Sequence, residues 1–219
     1  MSKPRYKKGK PLRRTDFKSQ KPVILIVCEG KKTEPNYLTS IKQEWRLTSM
    51  DIEIVGGDEC GTDPKGIVDF AKSRARQLRT NKREIKNENV WCVFDRDQHL
   101  TCDAAIIMAN DNGFGVAFSN PCIELWYLLH FQDQTAYLER DAAKRELKNH
   151  MPDYEKSMAG IFRELESGLI GAELRANNLR IRHVGNGYPE NHNPSTSVDK
   201  LIKHLRNIRE ADTTENGCS

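Results

Sequence analysis

The stretch Val23-Ile24-Leu25-Ile26-Val27-Cys28-Glu29-Gly30-Lys31-Lys32-Thr33-Glu34 decides the fold: an apolar, largely β-branched run breaks off into an acid, a glycine and two lysines. A strand with no polar alternation is buried on both faces, as in a parallel sheet covered by helices. Its echo downstream is Val90-Trp91-Cys92-Val93-Phe94, which runs into Asp95-Arg96-Asp97. In an open parallel sheet the carboxyl ends of the strands line the ligand crevice. Glu29, Asp95 and Asp97 therefore converge there despite their separation in sequence. Converging carboxylates suit Mg2+, a hard cation that takes oxygen ligands and often binds one or two protein carboxylates together with substrate phosphate. If the second strand persists to Asp97, its period of two sends Asp95 and Asp97 to one face and Arg96 to the other. The plain alternative for an isolated D-x-D is a pair of aspartates capping a strand-to-loop turn.

Working outward, strand-like and helix-like segments alternate. Strands are expected at 22–28, 52–55, 90–94 and 114–118, with helices at 34–47, 65–82 and about 101–111 between them. Thr33 and Asp63, with Pro35 and Pro64 just inside, read as helix N-caps. The first helix begins after Gly30, so its N-terminal amides, with Gly30, Lys31, Lys32 and Thr33, form a candidate phosphate-binding element. Neither a Walker A loop nor a dinucleotide G-x-G-x-x-G follows any strand.

After the fourth strand, Ser119-Asn120-Pro121-Cys122-Ile123-Glu124-Leu125-Trp126 opens a strongly apolar helix. Glu124, in its first turn, is either a further metal ligand or a carboxylate complementing the helix dipole, and position alone favours the dipole. Trp126, Tyr127 and Phe131 read as core. The segment 132–210 reads as a polar helical addition, with runs at 141–149, 157–166, 172–182 and 197–209. A long polar loop, His183 to Ser197, lies between the last two and is a candidate cover for the site. His183 and His192 within it are candidate phosphate contacts or proton carriers, set against the ordinary reading of solvated turn histidines.

The chain of 219 residues carries a net charge of +4, distributed unevenly: residues 1–21 hold nine lysines and arginines against Asp16 alone, +8, leaving −4 for the rest. Such an arm cannot bury apolar surface and is either a salt-sensitive contact for nucleic acid or a solubilising tail. No apolar segment follows its charges in the manner of a secretory signal, and no apolar run is long enough to cross a bilayer, so a soluble cytoplasmic protein is expected. Six cysteines (28, 60, 92, 102, 122 and 218) show neither C-x-x-C pairs nor zinc spacing and read as reduced structural thiols. Residues 211–219 read as a disordered tail.

Taken together, Ile26-Val27-Cys28-Glu29-Gly30-Lys31-Lys32-Thr33-Glu34, Phe94-Asp95-Arg96-Asp97, Ser119-Asn120-Pro121-Cys122-Ile123-Glu124-Leu125-Trp126 and Asn193-Pro194-Ser195-Thr196 resemble, in order and spacing, the RloB-like family of bacterial defence proteins. The resemblance implies an α/β fold: a Toprim-like Rossmannoid core at 22–131 with a four-stranded, mainly parallel sheet, then the helical C-terminal addition. It also implies Mg2+- or Mn2+-dependent cleavage of DNA or RNA, tRNA included, in antiphage defence. In that scheme Asp95 and Asp97 hold metal, and Glu29 is a ligand or general acid/base. A partner ATPase of the ABC/AAA class is implied as well. The rival is a non-catalytic module that binds nucleic acid or the ATPase; a primase-like nucleotidyl transferase ranks last, for want of a zinc or nucleotide-pocket motif. The arm generates the first expectation. Deleting residues 1–20 weakens nucleic-acid binding and flattens its dependence on salt, measured by fluorescence anisotropy across a salt series; an unchanged slope identifies a solubilising tail.

Overall fold

The computed structural model describes residues 21–48, 50–96 and 101–216, and the side chains of all of these except 212–216. The basic arm 1–20, Asp97 and the last three residues lie outside the described residues. Strands β1 (Val23–Cys28), β2 (Asp51–Val55), β3 (Val90–Asp95) and β4 (Gly115–Asn120) pair in parallel in the order β2-β1-β3-β4. This is the expected α/β architecture. The helices α1 (Thr33–Glu44), α3 (Pro64–Thr80) and α4 (Cys102–Asp111) make the crossovers, with a short α2 (Gly57–Cys60) after β2.

The unbroken apolar run of β1 is explained by two separate clusters. Ile24, Ile26 and Cys28 face one side, against Tyr37 and Ile41 of α1; Val23, Leu25 and Val27 face the other, against Val68 and Ala71 of α3. Alternation of side chains along the strand divides the run between two apolar layers. α5 (Ile123–Leu128), α6 (Arg140–His150), α7 (Ile161–Leu165), α8 (Leu169–Gly185) and α9 (Val198–Asn216) follow. They contribute Trp126, Leu147, Phe162, Ala176 and Leu201 to the same cluster as Ile24 and Ile26. The later helices therefore share a core with one face of the sheet.

The structure adjusts several local expectations. A fifth strand, β5 (Ser195–Thr196), pairs antiparallel with β4, so the sheet has five strands rather than four. Its shortness and polarity hide it from a periodicity reading, since hydroxyls supply much of the pairing. Thr196 Oγ1 donates to the Phe118 carbonyl at 3.0 Å, and Ser197 Oγ donates to Val116 O at 2.9 Å while accepting from Phe118 N–H at 3.0 Å. Asp63 caps α3, its carboxylate accepting the Gly66 N–H at 3.0 Å. Lys32 rather than Thr33 stands at the N-cap of α1, with no side-chain capping bond. Helix α9 continues to Asn216, past the tail boundary expected near 211.

The start of α9 is anchored by a buried ion pair. Arg180 of α8 meets both oxygens of Asp199 at 2.7 and 2.8 Å and also donates to the Thr196 carbonyl. Removing one partner of a buried pair leaves an uncompensated charge, which costs about 3–5 kcal/mol. Asp199→Ala is expected to lower unfolding free energy by that order, read from urea titration; a loss below about 1 kcal/mol refutes the anchor.

Candidate functional site

The switch point of an open α/β sheet lies between the two strands from which the connections diverge, here β1 and β3. β1 extends by one more bond, Glu29 N–H to Val93 O at 2.8 Å, and the Glu29 carboxylate accepts the Asp95 N–H at 2.9 Å. The two acids read from sequence thus sit side by side at the ends of adjacent strands. Gly57 explains part of this fit, because a Cβ there would lie 2.1 Å from the Glu29 carbonyl oxygen. α2 can rest on the backbone of Glu29 only with a glycine at that place.

Between these strand ends, the start of α1 and α5 opens a cleft of about 340 Å3, lined by Gly30, Lys31, Lys32, Thr33, Glu34, Asp95, Ile123, Glu124, Arg140 and Lys156. Of the residues expected from sequence, Gly30, Lys31, Lys32, Thr33, Asp95 and Glu124 line it directly, and Glu29 adjoins it through Asp95. Glu124 is buried and accepts a bond from Tyr154 Oη at 3.2 Å. Its place on this wall joins it to the acidic group as well as to the first turn of a helix. Asp97 lies outside the described residues; Arg96 points away, to Asp103 at 2.9 Å and the Asn191 carbonyl at 2.8 Å.

His183 and His192 do not line the cleft. His183 is buried, and its Nε2–H donates to the Pro194 carbonyl at 2.8 Å; His192 stacks on Tyr188 with ring centres 4.3 Å apart. Their loop is nonetheless fastened beside the strand ends, since the Asn191 carbonyl also accepts from Asn120 Nδ2 at 2.8 Å.

A family model described as RloB-like protein matches residues 24–205. The chain belongs to the RloB-like family. Comparison with curated proteins and with solved structures gave no significant match.

Three functional candidates in this RloB-like chain escape a sequence reading. Glu34 lies in the first turn of α1, folded back over Gly30: a Cβ on that glycine would fall 1.8 Å from Glu34 Oε2. Burial, with Glu29 and Glu124 nearby, raises its carboxyl to about 7. Burial and Glu34 push Asp95 well up too, and Arg140 offsets only part of this. Arg140, from the polar helical addition, donates to Asp95 Oδ2 at 2.8 Å. It is positioned by Asn193, whose side chain clamps Leu138 through both backbone groups, at 2.8 and 2.9 Å. The Asn193-Pro194 motif therefore acts on the cleft through Arg140. Lys156 reaches the rim from the loop that Asn36 holds through Ser157 O at 2.9 Å. Only the position of Glu34, at the end of the opening stretch, left a signal in the sequence.

Glu34 makes a directional stability expectation. Its folded-state pKa is raised, so burial favours the native state fully below its ordinary value of 4.5, and this contribution is lost as pH rises through about 7. The wild type should lose stability between pH 5 and 8 by a few kcal/mol, and Glu34→Gln should flatten that slope; an equal change of unfolding free energy with pH in both proteins, read from chemical denaturation, refutes it.

Proposed function

We propose that this protein is a divalent-metal-dependent phosphodiesterase of the Toprim type that cleaves nucleic acid as a defence effector. One observation carries the reading: Glu34, Asp95 and Glu124, with Glu29 bonded to Asp95, crowd the switch point of the sheet, beneath a rim of Lys31, Lys32, Lys156 and Arg140. Acids at the base and cations at the edge suit a phosphodiester, whose scissile phosphate needs a metal and whose flanking phosphates need positive charge.

The donor set fits Mg2+ or Mn2+ in kind. Among the described residues the cleft offers carboxylates and neither thiol nor imidazole as metal donors, and burial with mutual repulsion disfavours the charged forms of Glu34 and Asp95, a penalty that a divalent charge relieves. Among the described residues no three His, Cys, Asp or Glu side chains form a ready metal cluster, and Asp97 is not among those residues. In this reading Glu29 and Asp95 hold the ion, with Asp97 and Glu124 as further ligands. The bound ion would supply an activated water and charge neutralisation at phosphorus. Lys32 and Lys156, both exposed, bind the flanking phosphates. Lys31, in an exposed pair with Asp58 at 2.7 Å, is loosely held and available for the same role. Glu34, with its pKa near 7 and its place on the cleft wall, is suited to move a proton at neutral pH.

A second reading, a module that binds nucleic acid or a partner ATPase without cutting, draws on the ion pair between Arg140 and Asp95, which already balances that carboxylate. One assay separates them: the purified chain, with Mg2+, Mn2+ or chelator, against plasmid, single-stranded DNA, total RNA and tRNA. Metal-dependent cutting, reduced at least ~100-fold by Glu29→Gln and by Asp95→Asn with melting temperature retained, is expected. Binding without cutting, with and without an ATPase partner, selects the second reading.

A further inference from the structure

Helix α8 is apolar on two faces. Leu169, Ala172, Ala176 and Leu179 are buried in the core, whereas Ile170, Leu174, Ile181 and Val184 are 78, 61, 62 and 57% exposed. With Asn177 between them, these outward residues are spaced 4-3-4-3, the alternation of a coiled-coil seam. A surface helix of a self-contained domain needs one apolar stripe, and the second serves nothing in the described fold. The exposed Tyr188 continues the same spacing just beyond the helix end.

We infer that α8 pairs with α8 of a second copy of this chain, in parallel, through Ile170, Leu174, Ile181 and Val184, with Asn177 meeting its own counterpart. The occupant follows from the seam itself. A nucleic-acid partner would call for cations along it, and the stripe has none. A parallel two-fold pairing places each residue against its twin, so the Asn177 amides face one another and can bond. Antiparallel pairing in the usual seam alignment sets Asn177 against Ile181, which leaves a polar group beside an apolar one. The area also suits a second copy. Each exposed aliphatic side chain offers on the order of 100 Å2, so the stripe with Tyr188 contributes about 500 Å2 per copy, or about 1,000 Å2 in all, the lower bound of a specific interface. A seam of two heptads on a stable domain fits a reversible dimer rather than an obligate one.

Sedimentation velocity of the full chain tests this. Wild type should shift from monomer to dimer within roughly 1–100 µM, and Leu174→Glu/Ile181→Glu should remain monomeric throughout, with unchanged melting temperature because both side chains are outside the core. Asn177→Cys should oxidise to a disulfide-linked dimer under conditions in which wild type, with its native cysteines, does not. A wild type that stays monomeric to the upper concentration, or a dimer that persists in the double glutamate variant, overturns the proposal. A dimer in which Asn177→Cys fails to cross-link overturns the parallel register.

Discussion

The hydrogen bond from the Asp95 amide to the Glu29 carboxylate is the constraint on which the site depends. It joins the ends of two neighbouring parallel strands whose connections leave in opposite directions. A carboxylate that accepts a backbone N–H has a fixed direction, and the strands beneath it are buried on both faces. Glu29 is thus set by two fully buried strands, and Asp95 is placed directly beside it.

Around this point, packing concentrates acids on one another, whereas the buried Glu173 and Asp199 elsewhere in the described residues each meet an arginine. Glu34, Asp95 and Glu124 are all buried, and the first two have raised pKa values because each is short of water and close to other acids. Arg140 offsets part of that cost at Asp95. Such a group is poised: its protonation, its ion pair and any incoming cation compete for the same oxygens. Tyr37, Tyr127, Tyr154 and Phe162 form an aromatic layer, and Tyr154 fixes Glu124 through its hydroxyl at 3.2 Å.

The helices after residue 131 bear directly on the cleft. Arg140 of α6 and Lys156 of the loop that follows α6 stand on its wall, and the return segment through Asn193 and Ser195 to Ser197 ties the segment before α6 to β4 by side-chain bonds. The motif Asn193-Pro194-Ser195-Thr196 therefore links three places at once: the edge of the sheet, the segment before α6 and, through Arg140, the acid at the end of β3.

The α/β class, the four parallel strands and the convergence of Glu29 with Asp95 are legible in the residues alone, because buried parallel strands are written as continuous apolar runs and their ends are marked by the residues that break them. The sequence also marked Gly30 to Thr33 and Glu124 as candidates, through their positions beside those breaks. It took the folded chain to show that Glu34 turns back over Gly30 into the acidic group, that Arg140 crosses from a polar helix to Asp95, and that His183 is a buried strut for Pro194 rather than a lining residue of the cleft. Each of those depends on a contact between segments distant along the chain or on the direction of one side chain. Periodicity records which face a residue occupies, not what meets it there.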